Sequence, residues 1–432
     1  MKVLYVGDNR NRGNYGCRAT SIALSLLIRE KCDIVGTISG KATSSDISKL
    51  FFFERFPKIV YTIFKNHPFL KEIFKQIIIQ SKAAFLFGKK DFISANFCKS
   101  IKNLKKCLPS NIDLQELNLD QYDFDAIIVN GEGSFIFSTP AWREPLVLSM
   151  IMHWALEKNK KVFLVNAMFS DSPISERNQT TIKAIQPILE KCQQVIVREQ
   201  TSFNYIKNNF QGISVKIVPD AIFNWYNTIS EIPPITNGRL IIPHLSESDE
   251  SFSNLDFTQP YIIIAGSSCY VGNQKESIPA YTSLTEQLKK KYSGNIYLIQ
   301  TCEGDEFLKK VSANTKTPLI SLKTPLLAAA KILSEAQAFI TGRYHPAILA
   351  SLGGTPCIFM DSNSHKTLSI QDVLQYDNPK EYHAIPSHDE INSIIEETFN
   401  VIKQGPSLRN RIKNRCKDLS SESKKIQDFF IK

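Results

Sequence analysis

Ala338-Phe339-Ile340-Thr341-Gly342-Arg343-Tyr344-His345-Pro346-Ala347-Ile348-Leu349-Ala350-Ser351-Leu352-Gly353-Gly354-Thr355-Pro356-Cys357-Ile358 reads as strand, turn, helix and second strand. Ala338 to Thr341 is short and apolar, Pro346 suits the first turn of a helix, and small residues lead back to Cys357-Ile358. Arg343 and His345 therefore fall where the carboxyl end of a strand meets the amino end of a helix. In open α/β sheets anionic ligands sit there, because unpaired N–H groups and the helix dipole favour negative charge. A cation, an imidazole and free amides together suit a phosphate or a carboxylate. The competing reading is a solvated turn in which His345 caps a neighbouring carbonyl. On such a loop both side chains are expected to be only partly buried.

The same alternation runs in both directions from this unit. Val3 to Val6 precedes a Gly/Asn loop and a helical spacing of Ala19, Ile22, Ala23, Leu26 and Leu27. Ala126 to Val129, Val162 to Val165, Val195 to Val197, Tyr261 to Ala265 and Ile296 to Ile299 are short apolar runs separated by helical patterns. Such runs imply parallel sheets covered on both faces. With 432 residues the chain exceeds one growing core, and Ile232-Pro233-Pro234-Ile235-Thr236-Asn237-Gly238 is the best linker. The expected organisation is α/β with two Rossmann-like domains facing across a cleft. Residues 1–232 form the first and 239–387 the second, and 388–432 is a basic helical tail packing back.

The net charge of +10 is concentrated. From Lys49 to Lys106 there are thirteen Lys or Arg against three acids, and eleven of the 27 phenylalanines. Basic residues interleaved with aromatics suit an anionic membrane surface, and equally helices that bury Phe under a Lys-covered face. No nucleic-acid-binding module accompanies them, so no nucleic-acid partner is expected. The nine cysteines are scattered without a C-x-x-C pair. Reduced thiols and a cytoplasmic location are expected, with no zinc site. No secretory signal or membrane-spanning run is visible.

Several loops follow these strands. Gly7 to Thr20 fits neither G-x-G-x-x-G nor the P-loop, so dinucleotide binding and ATP hydrolysis lack support. Its Asn9 and Asn14 offer donors and acceptors to a ligand. In Asn130-Gly131-Glu132-Gly133-Ser134-Phe135 the flanking glycines bring the Glu132 carboxylate close to a ligand. Glu132 could be a general base for a sugar hydroxyl, a hydrogen-bond partner of the sugar, or a helix cap. Arg198 ends Val195-Ile196-Val197 as a second cation for one anion, or as half of a structural ion pair. Ser267 and Ser268 end another strand, and Asp361-Ser362-Asn363-Ser364-His365-Lys366 follows the next after Arg343. No cluster with metal-ligand spacing appears, so metal-independent chemistry is expected.

Taken in order, Arg12-Gly13-Asn14-Tyr15-Gly16, Asn130-Gly131-Glu132-Gly133-Ser134, Val197-Arg198-Glu199 with Ser202, Val218-Pro219-Asp220 and Gly342-Arg343-Tyr344-His345 resemble the polysaccharide pyruvyl transferase family over roughly residues 1 to 375. The resemblance implies two domains like those of GT-B glycosyltransferases. It also implies transfer of a pyruvyl group from phosphoenolpyruvate, as a ketal, to a sugar of a bacterial surface polysaccharide or its lipid-linked precursor. On this chain it carries the phosphoenolpyruvate histidine onto His345 and the donor-pocket arginines onto Arg198 and Arg343. The loops themselves add Glu132 beside His345 as a catalytic group, Ser267, Ser268, Ser364 and Lys366 on the donor side, and Asn9, Asn14, Gly133 and Ser134 on the acceptor side. No cofactor beyond the donor is implied.

Gly131-Glu132-Gly133, His345-Pro346, Ser362 and Ser364 also resemble bacterial sialyltransferase-like enzymes, whose donor is a CMP-activated sugar. A third reading is a non-catalytic scaffold, docked on a membrane through Lys49–Lys106, in glycan assembly.

Overall fold

The computed structural model describes residues 1–44, 91–108, 112–235, 240–242, 255–269 and 274–430, with 67, 69 and 73 described singly. Most of the Lys49–Lys106 segment, and with it most of the membrane-docking expectation, lies outside the described residues. At its far end Phe92 and Phe97 are buried in the core, whereas Phe69 is exposed. Among the described residues no helix is long and apolar enough to cross a membrane.

Among the described residues eleven strands form two parallel sheets. β1 (Lys2–Asp8), β2 (Asp33–Ser39), β3 (Ala126–Phe137), β4 (Lys161–Asp171), β5 (Gln194–Val197) and β6 (Val215–Ile217) pair in the order β2-β1-β3-β4-β5-β6. β7 (Tyr261–Ser267), β8 (Asn295–Ile299), β9 (Leu319–Ile320), β10 (Ala338–Gly342) and β11 (Cys357–Phe359) pair as β11-β10-β7-β8-β9. Side chains alternate between the two covered faces, as strand geometry requires. Leu4 and Val6 enter one core with the helices Phe97–Cys107 and Arg143–Glu157. Val3 and Tyr5 enter the opposite one with the helix Tyr15–Arg29.

One expectation is corrected. Asn130 to Phe135 is not a loop: β3 continues through it beside an equally extended β4. Over this stretch β3 pairs with β4, Asn130 with Val165, Glu132 with Ala167 and Phe135 with Phe169, and that ladder outweighs the local glycines. The irregularity survives as a register shift between Glu132 and Phe135, with Glu132 at φ 37° and Asn166 of β4 at φ 55°. Just before the expected linker, Trp225–Glu231 is helical. The tail helix His388–Ser423 breaks at Gly405, whose φ of 55° suits glycine, just before Pro406. Beyond it Phe430 packs edge-on against Phe163 of β4, 5.8 Å between ring centres.

Candidate active site

The carboxyl ends of both sheets face one cleft of about 160 Å³, lined by cations Arg12, Arg198, Arg343 and Lys366 and by carboxylates Glu132 and Glu144. Asn14, Cys17, Gly133, Ser134, Ser268 and His345 also line it. Each belongs to a loop, a helix start or, for Glu132, Gly133 and Ser134, the irregular stretch of β3.

Arg198 follows β5 and Asp220 follows β6, so adjacent strands deliver both to one place. Arg198 Nη1 donates to Asp220 Oδ2 at 3.0 Å. His345 Nε2, from the other sheet, lies 3.2 Å from each of these atoms. Nη1 can only donate, so the imidazole either accepts from Arg198 or donates to Asp220. Burial works against the Asp220 carboxylate, yet His345 and Arg198 outweigh it and hold its pKa well below the usual range. The Arg198 guanidinium stacks 4.1 Å from the centre of the Tyr344 ring. Among the described residues its Nη2 has only the weak Met168 sulfur, at 3.7 Å.

Arg343 makes a parallel pair, its Nη2 donating 2.5 Å to Oδ1 of the fully buried Asp305. Asp305 Oδ2 accepts from the backbone N–H and hydroxyl of Thr301 at 2.9 and 2.7 Å. Arg343 and His345 are therefore much less accessible than expected, at 8% and 9% exposed. The helix Tyr15–Arg29 and the far sheet close over them. Gly16 permits that approach, because a Cβ there would lie 2.3 Å from His345 Cβ.

Lys366 completes the cationic wall, with Nζ 2.6 Å from Asn363 Oδ1. Burial, then the charges of Arg198 and Arg343, push its pKa down to about 7. On the opposite wall Glu132 Oε1 accepts from Asn9 Nδ2 at 2.7 Å and Asn130 Nδ2 at 2.9 Å. The network continues from Asn130 Oδ1 to Asn166 Nδ2 (3.2 Å), on to Thr20 Oγ1 (3.1 Å), and from that hydroxyl to Asp220 Oδ1 (2.7 Å). One run of buried polar bonds thus ties Glu132 to the Arg198–Asp220–His345 group. Cys17, Glu132 and His345 bring ligand-type atoms within 4.8 Å of one another. Burial and then the Glu132 charge hold the Cys17 pKa well above its ordinary value, so it is a neutral thiol.

Of the residues expected at the site, Glu132, His345, Arg198, Arg343, Lys366, Ser268, Asn14, Gly133 and Ser134 line this cleft. Asn14 also caps the helix Tyr15–Arg29, accepting from Cys17 N–H at 3.2 Å. Ser267, Ser364 and Asn9 do not line it. The Ser267 hydroxyl donates to the Asp361 carbonyl, that of Ser364 contacts the Met168 sulfur at 3.5 Å, and Asn9 serves Glu132. Ser267 behaves as short hydroxyls on tight strand-end loops do, taking a backbone partner. Ser362 behaves likewise, donating to the Ser364 carbonyl at 2.8 Å. Sequence pattern alone does not mark Arg12, Cys17, Glu144 or Asp305 as site residues. A signal for Asp305 lay in Thr301 to Asp305, where the carboxylate closes on the backbone N–H groups of Thr301 and Cys302.

The fold and cleft define a two-domain α/β protein of GT-B-like architecture, with Rossmann-like sheets and a cationic site between them. The UDP-GlcNAc 2-epimerase of Neisseria meningitidis, solved bound to UDP-GlcNAc, is similar over 100% of both chains at TM-score 0.57 and 13% identity. The UDP-GlcNAc 2-epimerase of Methanocaldococcus jannaschii covers 93% of both chains at TM-score 0.52 and 13% identity. Os79 from O. sativa, in complex with UDP, covers 99% of both at 0.53 and 8%. At such identities the likeness extends to the fold alone. No curated protein sequence matches the chain significantly. The sequence profile of the polysaccharide pyruvyl transferases matches residues 46–364, and the chain belongs to that family.

Proposed function

We propose that this chain transfers the pyruvyl group of phosphoenolpyruvate to two hydroxyls of one sugar, forming a ketal on a surface polysaccharide or its lipid-linked precursor. The observation that carries this reading is the convergence of Arg12, Arg198, Arg343 and Lys366 on one cleft opposite the Glu132 carboxylate. Phosphoenolpyruvate carries a phosphate and a carboxylate on three carbons. Arg198 and Arg343, each fixed by its aspartate, present cationic faces to those groups without having to reorganise. Glu132, its Oε1 anchored by two amides, takes the proton of the attacking hydroxyl. The sugar oxygen bonds to the enol carbon while the methylene carbon gains a proton. The bond to the phosphate oxygen then breaks, the second hydroxyl closes the ketal, and inorganic phosphate leaves with the remaining proton.

Ser362 favours this donor over a CMP-activated sugar, since its hydroxyl is engaged within its own loop, donating to the Ser364 carbonyl. The first domain would serve the acceptor and the second the donor. The reaction would run in the cytoplasm, with the basic segment from Lys49 holding the enzyme against an anionic membrane. Thermal melting tests the donor. Phosphoenolpyruvate at a hundred times its dissociation constant should add about 2.7 kcal/mol of stability, with no comparable effect of cytidine nucleotides. Stabilisation by cytidine monophosphate alone would overturn the reading in favour of the sugar-nucleotide donor.

A further inference from the structure

A second group of mixed ligands lies away from the cleft. His153 and Glu157 sit one turn apart on the helix Arg143–Glu157, and Cys98 is in the first turn of the packed helix Phe97–Cys107. Cys98 Sγ lies 3.3 Å from His153 Nε2 and 3.6 Å from Glu157 Oε1, and the last two are 3.3 Å apart. Among the described residues these three side chains have no other polar partners. At most two hydrogens are available for three mutual contacts, so hydrogen bonding alone leaves one contact unmade. A cation at the centre would satisfy all three atoms.

We propose that Cys98, His153 and Glu157 form a binding site for a divalent cation of the zinc class. Zinc bonds of about 2.0–2.3 Å at tetrahedral angles put neighbouring sulfur, nitrogen and oxygen ligands roughly 3.3–3.6 Å apart. The three separations therefore match one face of a tetrahedron. The His153 and Glu157 side chains are 27% and 48% exposed, so the fourth position opens to water. On binding, Cys98 loses its thiol proton to solvent and a sulfur–metal bond forms, so thiolate and carboxylate together balance the two positive charges. The site would clip the helix Phe97–Cys107 onto the helix that carries Glu144 into the cleft. His153 is nine residues along from Glu144, about 14 Å by helical rise, so the clip is distinct from the reaction centre.

Cobalt(II) titration of the full chain, stripped with chelator, desalted and kept reduced, tests the proposal. One equivalent should give a near-ultraviolet thiolate-to-cobalt band that Zn(II) removes. Cys98→Ser should abolish the band, and His153→Ala and Glu157→Gln should each weaken cobalt binding at least about tenfold. Cys17→Ser should leave it intact. The proposal is overturned by absence of the band in the unaltered chain, by its survival in Cys98→Ser, or by its loss in Cys17→Ser.

Discussion

Cys17, Glu132 and His345 in the cleft, and Cys98, His153 and Glu157 on the outer helices, bring together the same three side-chain types at similar spacing. Their surroundings oppose each other. The cleft group is faced by Arg12, Arg198, Arg343 and Lys366, and His345 already shares Asp220 with Arg198. A divalent cation entering there would meet like charge at low dielectric, whereas an anion would relieve it. The outer group has no lysine or arginine bonded to it among the described residues. Identical ligand types thus select opposite charges, because neighbouring groups set the sign of the local potential.

The sharpest way to break this contrast is Glu132→Gln. The amide keeps the shape but cannot accept the acceptor's proton, so turnover should fall about 10²–10⁴-fold with donor affinity little changed. Steady-state kinetics beside donor titration separates the outcomes. Unchanged turnover would remove Glu132 as the base, and a rise only in the acceptor's Michaelis constant would leave it positioning the sugar.

His345→Ala should come next. Losing a hydrogen bond to a charged group costs about 1.5–3 kcal/mol, on the order of ten- to hundredfold in donor affinity. Asp220 keeps Arg198 as its partner, so the fold should hold. Arg343→Ala is the wrong comparison, because it strands the buried Asp305 carboxylate at a cost of roughly 3–5 kcal/mol. Arg343→Lys keeps the charge. Donor affinity close to that of the unaltered chain in His345→Ala would take the imidazole out of the donor pocket.

Arg343 and His345 were legible because a strand, a Pro in the first helical turn and a second strand fix their place locally. Their partners were not. Asp305 is 38 residues from Arg343, and they meet because β8 and β10 both flank β7, so their end loops join above Gly266. A Cβ at Gly266 would lie 2.3 Å from Asp305 Oδ1. Glu132 stands out in the sequence, but its place in a strand does not, since glycine-rich sequence does not reveal an interior strand with a kink. Cys98, His153 and Glu157 meet only through helix packing, which the scattered cysteines gave no way to foresee.

Lys366 makes the cleft's charge visible in its pH dependence. Its pKa in the free protein lies at about 7, lowered by burial and then by Arg198 and Arg343. A bound dianion favours the ammonium and raises that pKa, so above pH 7 binding takes up a proton. Donor affinity should therefore be highest below about pH 7 and fall as pH rises, by at most about tenfold per unit. The phosphate takes up its own proton near pH 6, so titrations between roughly pH 7 and 9 isolate the lysine. Lys366→Met should be weaker throughout but flat over that range. An equal slope in the variant would assign the dependence to another group.

The smallest effect expected is that of removing metal. If the cleft takes anions and the outer group takes a cation, excess chelator should leave turnover within about twofold, because arginines can neutralise the donor phosphate themselves. The same treatment should lower the melting temperature of zinc-loaded protein by only a few degrees, since ligand at a hundred times its dissociation constant contributes about 2.7 kcal/mol. That shift should vanish in Cys98→Ser and persist in Glu132→Gln, which separates the two groups by thermal melting alone. Loss of turnover on chelation, restored by magnesium and indifferent to Cys98→Ser, would instead put a cation in the cleft. The contrast between the two groups would then fail at its first term, and the arginines would have to be read as partners of buried aspartates and nothing more.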